Sequence, residues 1–178
     1  DQTRGWFYTL HAIGSLIKES VIEELEKAGL PTDKVDGRAY KTVVSNGLVL
    51  DKNGNKMSKR LGNVVNPFET IDKYGADATR WYLITNASPW DNLKFDLEGI
   101  EEVRRKFFGT LYNTYSFFSL YANIDKFSYQ ENEIAIQERP EIDRWILSEL
   151  NSLIKKVEGF YDEYEPTKAA RAIQDFVG

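Results

Sequence analysis

The chain has 178 residues, and a hydrophobic content of 42% with 13% aromatic residues is ample for a buried core, which excludes global disorder. It has no cysteine and only 1 histidine, so a disulfide scaffold, a cysteine-ligated zinc site and a multi-histidine metal site are excluded. The net charge of −5 argues against a protein that coats nucleic acid, but it leaves room for local basic patches.

The ends of the sequence and its hydropathy also limit the possibilities. No apolar run approaches the roughly 20 residues that span a membrane. The chain starts with neither an initiator methionine nor a signal peptide, and it stops within an apolar helical pattern. We therefore expect a piece of a longer, cytoplasmic protein that does not associate with a membrane.

The first 50 residues predict two helices followed by a strand. Apolar residues at helical spacing indicate a helix over residues 5–18, and the pattern continues over 19–28 until Gly29 and Pro31 end it. Residues 41–50 are rich in valine and leucine and are interrupted by a turn signal, so we interpret them as strand, kink, strand. Helix followed by strand suits the last βα units of a parallel sheet.

Residues 56–60 read Lys-Met-Ser-Lys-Arg and have glycines on both sides, at Gly54 and Gly62. The segment lacks apolar periodicity, so it is predicted to be a loop, and with little apolar content it should be poorly anchored. Two ammonium groups on such a loop are suited to binding a polyanion, such as a nucleoside triphosphate, whose negative charge must be neutralised at one stage of a reaction. The alternative is a solvated turn that happens to carry lysines.

The remainder of the chain predicts helices. Asn66 as N-cap and Pro67 in the first turn indicate a helix that ends at Gly75, and a short helix follows over residues 76–85. After an irregular segment, three long amphipathic helices are expected to begin at Gly99, Pro140 and Pro166, which is typical of a helical bundle. The first of them should bury a stripe of apolar residues: Ile100, Val103, Phe107, Leu111, Tyr115 and Phe118.

Two segments carry a resemblance to a known family. Residues 46–63, with Lys56-Met57-Ser58-Lys59-Arg60 near their centre, resemble the "KMSKS" signature of class I aminoacyl-tRNA synthetases. Arg60 stands where serine is usual, a variation that the family tolerates. Residues 1–7 resemble the helix start that borders the aminoacyl pocket in isoleucyl-tRNA synthetases, whereas valyl and leucyl relatives carry other residues there. The resemblance covers most of the chain but is absent at about 18–39.

The resemblance implies roles for the loop. Lys59 would act directly on ATP and Lys56 would assist, which makes these two the candidate catalytic residues, while Met57 and Ser58 would shape the loop. ATP, with Mg²⁺, is the expected substrate, and no resident metal site is expected in this chain.

Two further groups of site residues follow from the resemblance. Asn46-Gly47 stands where the family has His-Gly, so Gly47 would allow close backbone approach to the adenine, although a β-bulge without a ligand explains it equally well. Gln2 would contact the aminoacyl-adenylate, Trp6 would form an apolar wall of the amino-acid pocket, and Asp1 would contact the ribose or orient the loop.

The implied fold is the α/β, Rossmann-like C-terminal part of a catalytic domain followed by an all-α helical bundle, mostly helical overall. The catalytic part would comprise residues 1–64, a stem-contact segment 65–98, and the start of an anticodon-binding domain 99–178. Arg104, Arg105 and Lys106 could contact a tRNA backbone, although a solvated helical face is the simpler interpretation.

The implied parent is a monomeric ligase that joins isoleucine to tRNA(Ile) with ATP. This chain alone should be inactive, because the family's other ATP motif, "HIGH", does not occur in its sequence. Two alternatives stay open: a valyl or leucyl synthetase of the same fold, and a non-catalytic tRNA-binding module.

Overall fold

The computed structural model describes residues 4–130 and 132–178, so Asp1, Gln2, Thr3 and Glu131 lie outside the described residues. The chain divides into two compact units, residues 1–45 and 46–178, and each is described by itself. The described residues are mostly helical, with one small sheet. The elements are α1 Trp6–Leu16, α2 Lys18–Lys27, β1 Val49–Leu50, α3 Pro67–Tyr74, α4 Ala76–Asn86, β2 Leu93–Lys94, α5 Leu97–Val103, α6 Gly109–Ile124, α7 Glu141–Asp162 and α8 Pro166–Val177.

The first unit contains α1 and α2, which confirms the two helices predicted from the sequence. α2 ends at Gly29, whose φ of 68° lies in the left-handed region that glycine adopts without steric cost. The Leu30 amide then donates to the Leu25 carbonyl at 2.9 Å, which closes the last turn. Further along, the Tyr40 hydroxyl donates to the Phe7 carbonyl at 2.6 Å and ties the end of this unit to α1.

The strand predicted for residues 41–50 was largely wrong. Only Val49 and Leu50 form a strand, and residues 41–48 have no regular structure. Valine-rich segments become strands when a neighbouring strand supplies hydrogen-bond partners, so an intrinsic preference alone is not sufficient.

The second unit contains a parallel pair of short strands. Val49 lies opposite Leu93, and Leu50 lies opposite Lys94. β2 falls in a segment that the sequence indicated to be irregular, because two residues are too few to show alternation. The connection between the two parallel strands contains α3 and α4, as a crossover between parallel strands requires.

The start of α3 confirms the predicted cap. The Asn66 side-chain oxygen accepts from the Phe68 amide at 3.0 Å, and the Asn66 side-chain amide donates to the Glu69 carboxylate at 2.8 Å. Gly75, with a φ of 89°, ends α3 and allows α4 to begin directly after it. Both helices are therefore fixed by local chemistry that is visible in the sequence.

The core of the second unit forms around α4. Ala78 and Tyr82 from this helix are buried against Leu93, Phe95 and Ile100. The Tyr82 hydroxyl donates to the Lys94 carbonyl at 3.0 Å and accepts from the Asp96 amide at 3.0 Å, so the polar end of the ring is satisfied. α5 approaches the Tyr82 ring at Gly99, where a Cβ atom would overlap the ring.

The long helix predicted from Gly99 consists of α5, one turn of π-helix over Arg104–Phe108, and α6. Trp81 stacks on Phe107 with ring centroids 4.3 Å apart, and it meets Phe108 edge-on at 6.2 Å. The expected apolar stripe is buried in its first half only. Its members on α6 are exposed: Leu111, Tyr115 and Phe118.

α7 and α8 form a helical hairpin, and α8 packs on α4. The half-buried face of α7 includes Leu153, Val157 and Phe160, and α8 buries Ala169 and Ala170. Other apolar residues expected on the inward side of α7 are exposed, including Ile142 and Trp145. A mostly helical chain with a small sheet is thus confirmed, while a Rossmann part followed by a complete bundle stays a prediction.

The contact between Gly99 and Tyr82 can be tested by substitution. Gly99→Ala places a methyl group inside the Tyr82 ring, so we expect it to lower the free energy of unfolding by about 1–3 kcal/mol in urea denaturation. Gly159→Ala is the control, because nothing lies within 4 Å of a Cβ at that position in α7. There the better helix propensity of alanine should raise stability by about 0.5–1 kcal/mol. Equal effects of the two variants would contradict the packing described.

Candidate functional site

The lysine loop, residues 51–63, follows β1 directly. A turn closes at its start, where the Gly54 amide donates to the Asp51 carbonyl at 2.9 Å and Gly54 takes a φ of 88°. The Asp51 amide donates to the Asn55 carbonyl at 2.9 Å, and Leu50 and Lys56 form an antiparallel bridge. The chain therefore folds back beside β1, with Lys52 in the turn and Lys56 at the bridge.

The Asp51 carboxylate holds this turn together. It accepts from the backbone amides of Asn53 at 3.0 Å and Asn55 at 2.8 Å, and from the side-chain amide of Asn63 at 2.9 Å. These donors, the Asn63 side chain first, lower the pKa of Asp51 below its ordinary value, because they favour the ionised carboxylate.

Asn63 joins the beginning and the end of the lysine loop. Besides its bond to Asp51, its side-chain oxygen accepts from the Ser58 amide at 2.8 Å, and its amide lies 3.3 Å from the Lys56 carbonyl. We expected a poorly anchored loop because it has few apolar residues, and the structure differs. Polar side chains anchor it instead, and sequence reasoning missed the part that Asp51 and Asn63 play. In the sequence, the one sign of this anchoring is that a carboxylate residue, Asp51, precedes the motif lysines and an amide residue, Asn63, follows them.

Met57 and Ser58 lie at the inner side of the lysine loop. Met57 is half-buried and packs against the core around α4. Ser58 caps a short 3₁₀ turn over Lys59–Leu61, since its hydroxyl accepts from the Arg60 amide at 3.3 Å. Gly62, with a φ of 66°, ends that turn.

Lys56 and Lys59 are exposed on the lysine loop. In residues 4–130 and 132–178, no carboxylate lies within 4.0 Å of either ammonium group. Their charges are therefore available to an anionic ligand, and the loop that carries them is fixed at both ends. Such an arrangement can bind and stabilise phosphate charge.

Asn46 and Gly47 precede β1, and Gly47 makes a close approach to another part of the chain. A Cβ at Gly47 would overlap the Asp91 carbonyl, and the Gly47 amide donates to the Pro89 carbonyl at 2.7 Å. The neighbouring Leu48 amide donates to the Asn92 side chain at 2.9 Å. Glycine is thus required here by the chain's own packing, whether or not a nucleotide also lies nearby. The Asn46 side chain is exposed.

The residues expected at the adenylate lie in the first unit. Trp6 is the first residue of α1, and the residue is 69% exposed. The expectations for Asp1 and Gln2 fall outside the described residues.

Two residues of the basic run in the π turn, Arg104 and Lys106, pair with carboxylates of α5 in the same continuous helix. Arg104 contacts Glu101 at 2.6 Å, and Lys106 contacts Glu102 at 2.5 Å, which lowers the pKa of Glu102. This pattern is typical of a solvated helical face.

A cavity of about 840 Å³ lies in the second unit, and neither Lys56 nor Lys59 lines it. It is lined by parts of α4, α5 and α8, including Tyr82, Asn86 and Gln174, and Lys52 is its one contribution from the lysine loop.

In the part of the chain that the structure describes, no group of three or more His, Cys, Asp or Glu side chains is placed to hold a metal ion. None of the described helices is long and apolar enough to cross a membrane.

Two family profiles match the sequence. The profile described as "tRNA synthetases class I (I, L, M and V)" covers residues 1–96, which include α4 and the lysine loop. The profile described as "Anticodon-binding domain of tRNA ligase" covers residues 143–178, which include most of α7 and all of α8.

Several curated proteins are similar along the chain. It is 66% identical to an isoleucine–tRNA ligase of Bacteroides fragilis and 67% identical to one of Cytophaga hutchinsonii, in each case over 99% of this chain and 14% of the relative. It is 48% identical to an isoleucine–tRNA ligase of Clostridium tetani, over 99% of this chain and 15% of that protein. The chain thus spans about one seventh of the length of these relatives.

A solved structure has a similar fold. It is the ternary complex of the Agrobacterium radiobacter K84 agnB2 LeuRS with tRNA and LeuAMS. The TM-score is 0.75 at 21% sequence identity, over 99% of this chain and 21% of that chain.

The anchoring of the lysine loop predicts a change in the titration of Asp51. Asn63→Ala removes the donor that contributes most, so we expect the Asp51 pKa to rise toward its ordinary value of 3.8. Because the folded-state pKa is depressed, the ionised carboxylate stabilises the loop above that ordinary value, and the stabilisation is lost as the pH falls through the folded-state pKa. The variant should therefore lose less stability on acidification.

The measurement is a carbon NMR titration of the Asp51 carboxyl group. Asn53→Ala is the matched control, because Asn53 donates to Asp51 through its backbone amide only. An Asp51 pKa that is the same in Asn63→Ala and Asn53→Ala would rule out the network.

Proposed function

The chain belongs to the class I tRNA synthetases of the isoleucine, leucine, methionine and valine group, and we propose that it is the part of an isoleucine–tRNA ligase that carries the cationic loop of the ATP site. Identity of 66% with relatives named isoleucine–tRNA ligase supports isoleucine over valine or leucine as the amino acid. Retention of both loop lysines argues against a non-catalytic tRNA-binding module.

The proposed reaction of the parent protein has two steps. The carboxylate of isoleucine attacks the α-phosphorus of Mg-ATP, a new carboxylate–phosphorus bond forms, and pyrophosphate leaves with its electron pair. The acyl group of isoleucyl-adenylate then passes to a terminal ribose hydroxyl of tRNA(Ile), and AMP leaves. Mg²⁺ enters with ATP as part of the substrate.

The observation that carries the proposal is the state of Lys56 and Lys59. Both are exposed on a loop that Asp51 and Asn63 anchor, and the described carboxylates leave both ammonium groups unpaired. Negative charge builds on the leaving pyrophosphate during the first step. A loop backbone that is already held in place can present its ammonium groups to this charge without first having to be ordered, so the barrier is lowered. We assign the direct contact with ATP to Lys59 and the assisting contact to Lys56.

The other proposed contacts are less direct. Met57 and Ser58 hold the shape of the lysine loop, the former by packing on the core and the latter by capping the turn that bears Lys59. We include Asn46 and Gly47 in the ATP site next to the adenine. Asp1, Gln2 and Trp6 complete the proposal as the residues that face the aminoacyl-adenylate, with Trp6 as an apolar wall for the branched side chain.

The proposed domain organisation has three parts: residues 1–64 from the catalytic domain, 65–98 as the stem-contact segment, and 99–178 from the anticodon-binding domain. We take the catalytic part to be Rossmann-like and the last part to belong to a helical bundle. The parent would be a cytoplasmic monomer that binds isoleucine, ATP and tRNA(Ile).

The role of Lys59 is tested in the full-length parent. Lys59→Ala should reduce isoleucine-dependent pyrophosphate exchange by about a hundredfold to a thousandfold, because it removes charge stabilisation in the transition state. The KM for isoleucine should change by less than about twofold. Lys56→Ala should have a smaller effect of the same kind. Lys52→Ala is the control, since Lys52 precedes the motif on the same loop. Unchanged exchange in Lys59→Ala would remove Lys59 from the site.

The 178-residue chain alone provides a second test. Its circular dichroism should show a folded, helix-rich protein, because α4, α5, α7 and α8 pack on one another within the second unit. Isoleucine-dependent pyrophosphate exchange should stay at background, since one half of an ATP site cannot orient the nucleotide. Robust exchange by this chain would show that the cationic loop does not need a second motif.

A further inference from the structure

The C-terminal end of α4 is capped by side chains from α8, about 80 residues further along the chain. The Thr167 hydroxyl lies 2.8 Å from the Ile84 carbonyl and 3.0 Å from the Ala87 carbonyl, so its proton is shared between them. The Thr167 side chain is among the most completely buried in the described residues. A buried hydroxyl that lost its partners would cost free energy, so this contact favours the one arrangement of the two helices in which the hydroxyl is paired.

Arg171 pairs with the two carbonyls that lie between those contacted by Thr167. Its Nε donates to the Thr85 carbonyl at 2.9 Å, and its Nη2 donates to the Asn86 carbonyl at 3.2 Å. The last carbonyls of a helix have no partner within it and carry partial negative charge, which a guanidinium group complements. Thr167 and Arg171 together therefore satisfy four successive carbonyls, from Ile84 to Ala87. We call these two residues the α8 cap.

The same helix supports the lysine loop on another side. Ala78 and Tyr82 of α4 belong to the buried cluster against which Met57 packs, next to Ser58 and Lys59. α4 therefore contributes to the buried cluster that supports the cationic loop, and its C-terminal end contacts α8. One helix of 11 residues takes part in both, so the cluster and the contact with α8 are linked through a regular element.

The contact joins two segments that match different family profiles. α4 and the lysine loop fall within residues 1–96, and α8 falls within residues 143–178, the part that matches an anticodon-binding domain. A fixed joint between them sets the orientation of a tRNA held by the second segment relative to the ATP loop of the first.

We propose that Thr167 and Arg171 are positioning residues for the transfer step, and that they act by holding α8 in one orientation on α4. This inference rests on the proposed function. Activation of isoleucine needs no tRNA, so it should not depend on the α8 cap. Transfer requires the terminal ribose of the tRNA to reach the adenylate, and small errors in orientation reduce the rate of such a reaction strongly.

The test uses the full-length parent and the double variant Thr167→Val/Arg171→Met, which keeps side-chain volume and removes both caps. The kcat of aminoacylation should fall about tenfold. The KM for tRNA should change by less than about twofold, since the tRNA-binding surface is untouched, and so should the rate of pyrophosphate exchange. Thr167→Ser, which retains the hydroxyl, should aminoacylate like the unchanged parent. Lys168→Met is the matched control on α8, because Lys168 is exposed and, among the residues that the structure describes, its ion pair is with Glu165 of its own segment.

The outcomes separate this inference from the proposed function. If the unchanged parent shows no isoleucine-dependent exchange, the proposed function fails before any variant is compared. If the parent is active and the double variant aminoacylates normally, or if exchange and aminoacylation fall in proportion, the α8 cap has no positioning role. Should the double variant fail to fold, Arg171→Met alone gives the answer, because Arg171 is exposed and its loss leaves the buried Thr167 contact in place. Its effect must again be confined to kcat of aminoacylation.

Discussion

The buried hydroxyl group of Tyr82 is the constraint on which the second unit depends. The Tyr82 ring is buried, and burial raises the pKa of its phenol, so the phenol stays neutral. Because the hydroxyl is shielded from water, it needs hydrogen-bond partners within the protein. It finds them in the Lys94 carbonyl, the Asp96 amide and the Asn86 side chain, at 2.9–3.0 Å. These bonds bring β2 and the start of α5 to α4. Because β2 pairs with β1, they also fix the strand from which the lysine loop begins.

Local chemistry explains why most helices could be predicted. The Asn66 cap, Pro67 and the glycine at 75 act within a few residues of one another, so the sequence pattern was sufficient for α3 and α4. Burial was harder to predict, because it depends on which elements meet. Phe107 and Phe118 share one apolar stripe, yet Phe107 is buried against Trp81, whereas Phe118 meets Phe127 edge-on and stays exposed. Two errors in the strand prediction have the same cause: the strand expected within residues 41–48 did not form, and β2 was not expected. A strand exists only where another strand lies beside it, and the sequence does not show which segments meet.

The candidate site shows the same division between local and distant information. Lys56 and Lys59 could be identified from residue type and spacing, because charge chemistry does not depend on the surrounding fold. The anchoring of their loop by Asp51 and Asn63 could not, since the two residues are 12 positions apart and their pairing requires the folded turn. For Gly47 the sequence left two explanations open, a nearby ligand and a β-bulge, and the structure adds a close neighbour within the chain, the Asp91 carbonyl. Contacts that cross between elements were thus missed, including those of Thr167 and Arg171.

The α8 cap also sets an order of assembly during synthesis. Thr167 follows Ile84 by 83 positions, so α4 leaves the ribosome well before the residues that complete its C-terminal end. In that interval water must hydrate the carbonyls of Ile84 to Ala87, whereas α7 and α8 can pair as soon as both have emerged, because their contacts are local. The contact between α8 and α4 can therefore form only after Thr167 and Arg171 have both been synthesised. A nascent chain that pauses before Thr167 exposes the uncapped helix end and the face of α4 on which α8 belongs.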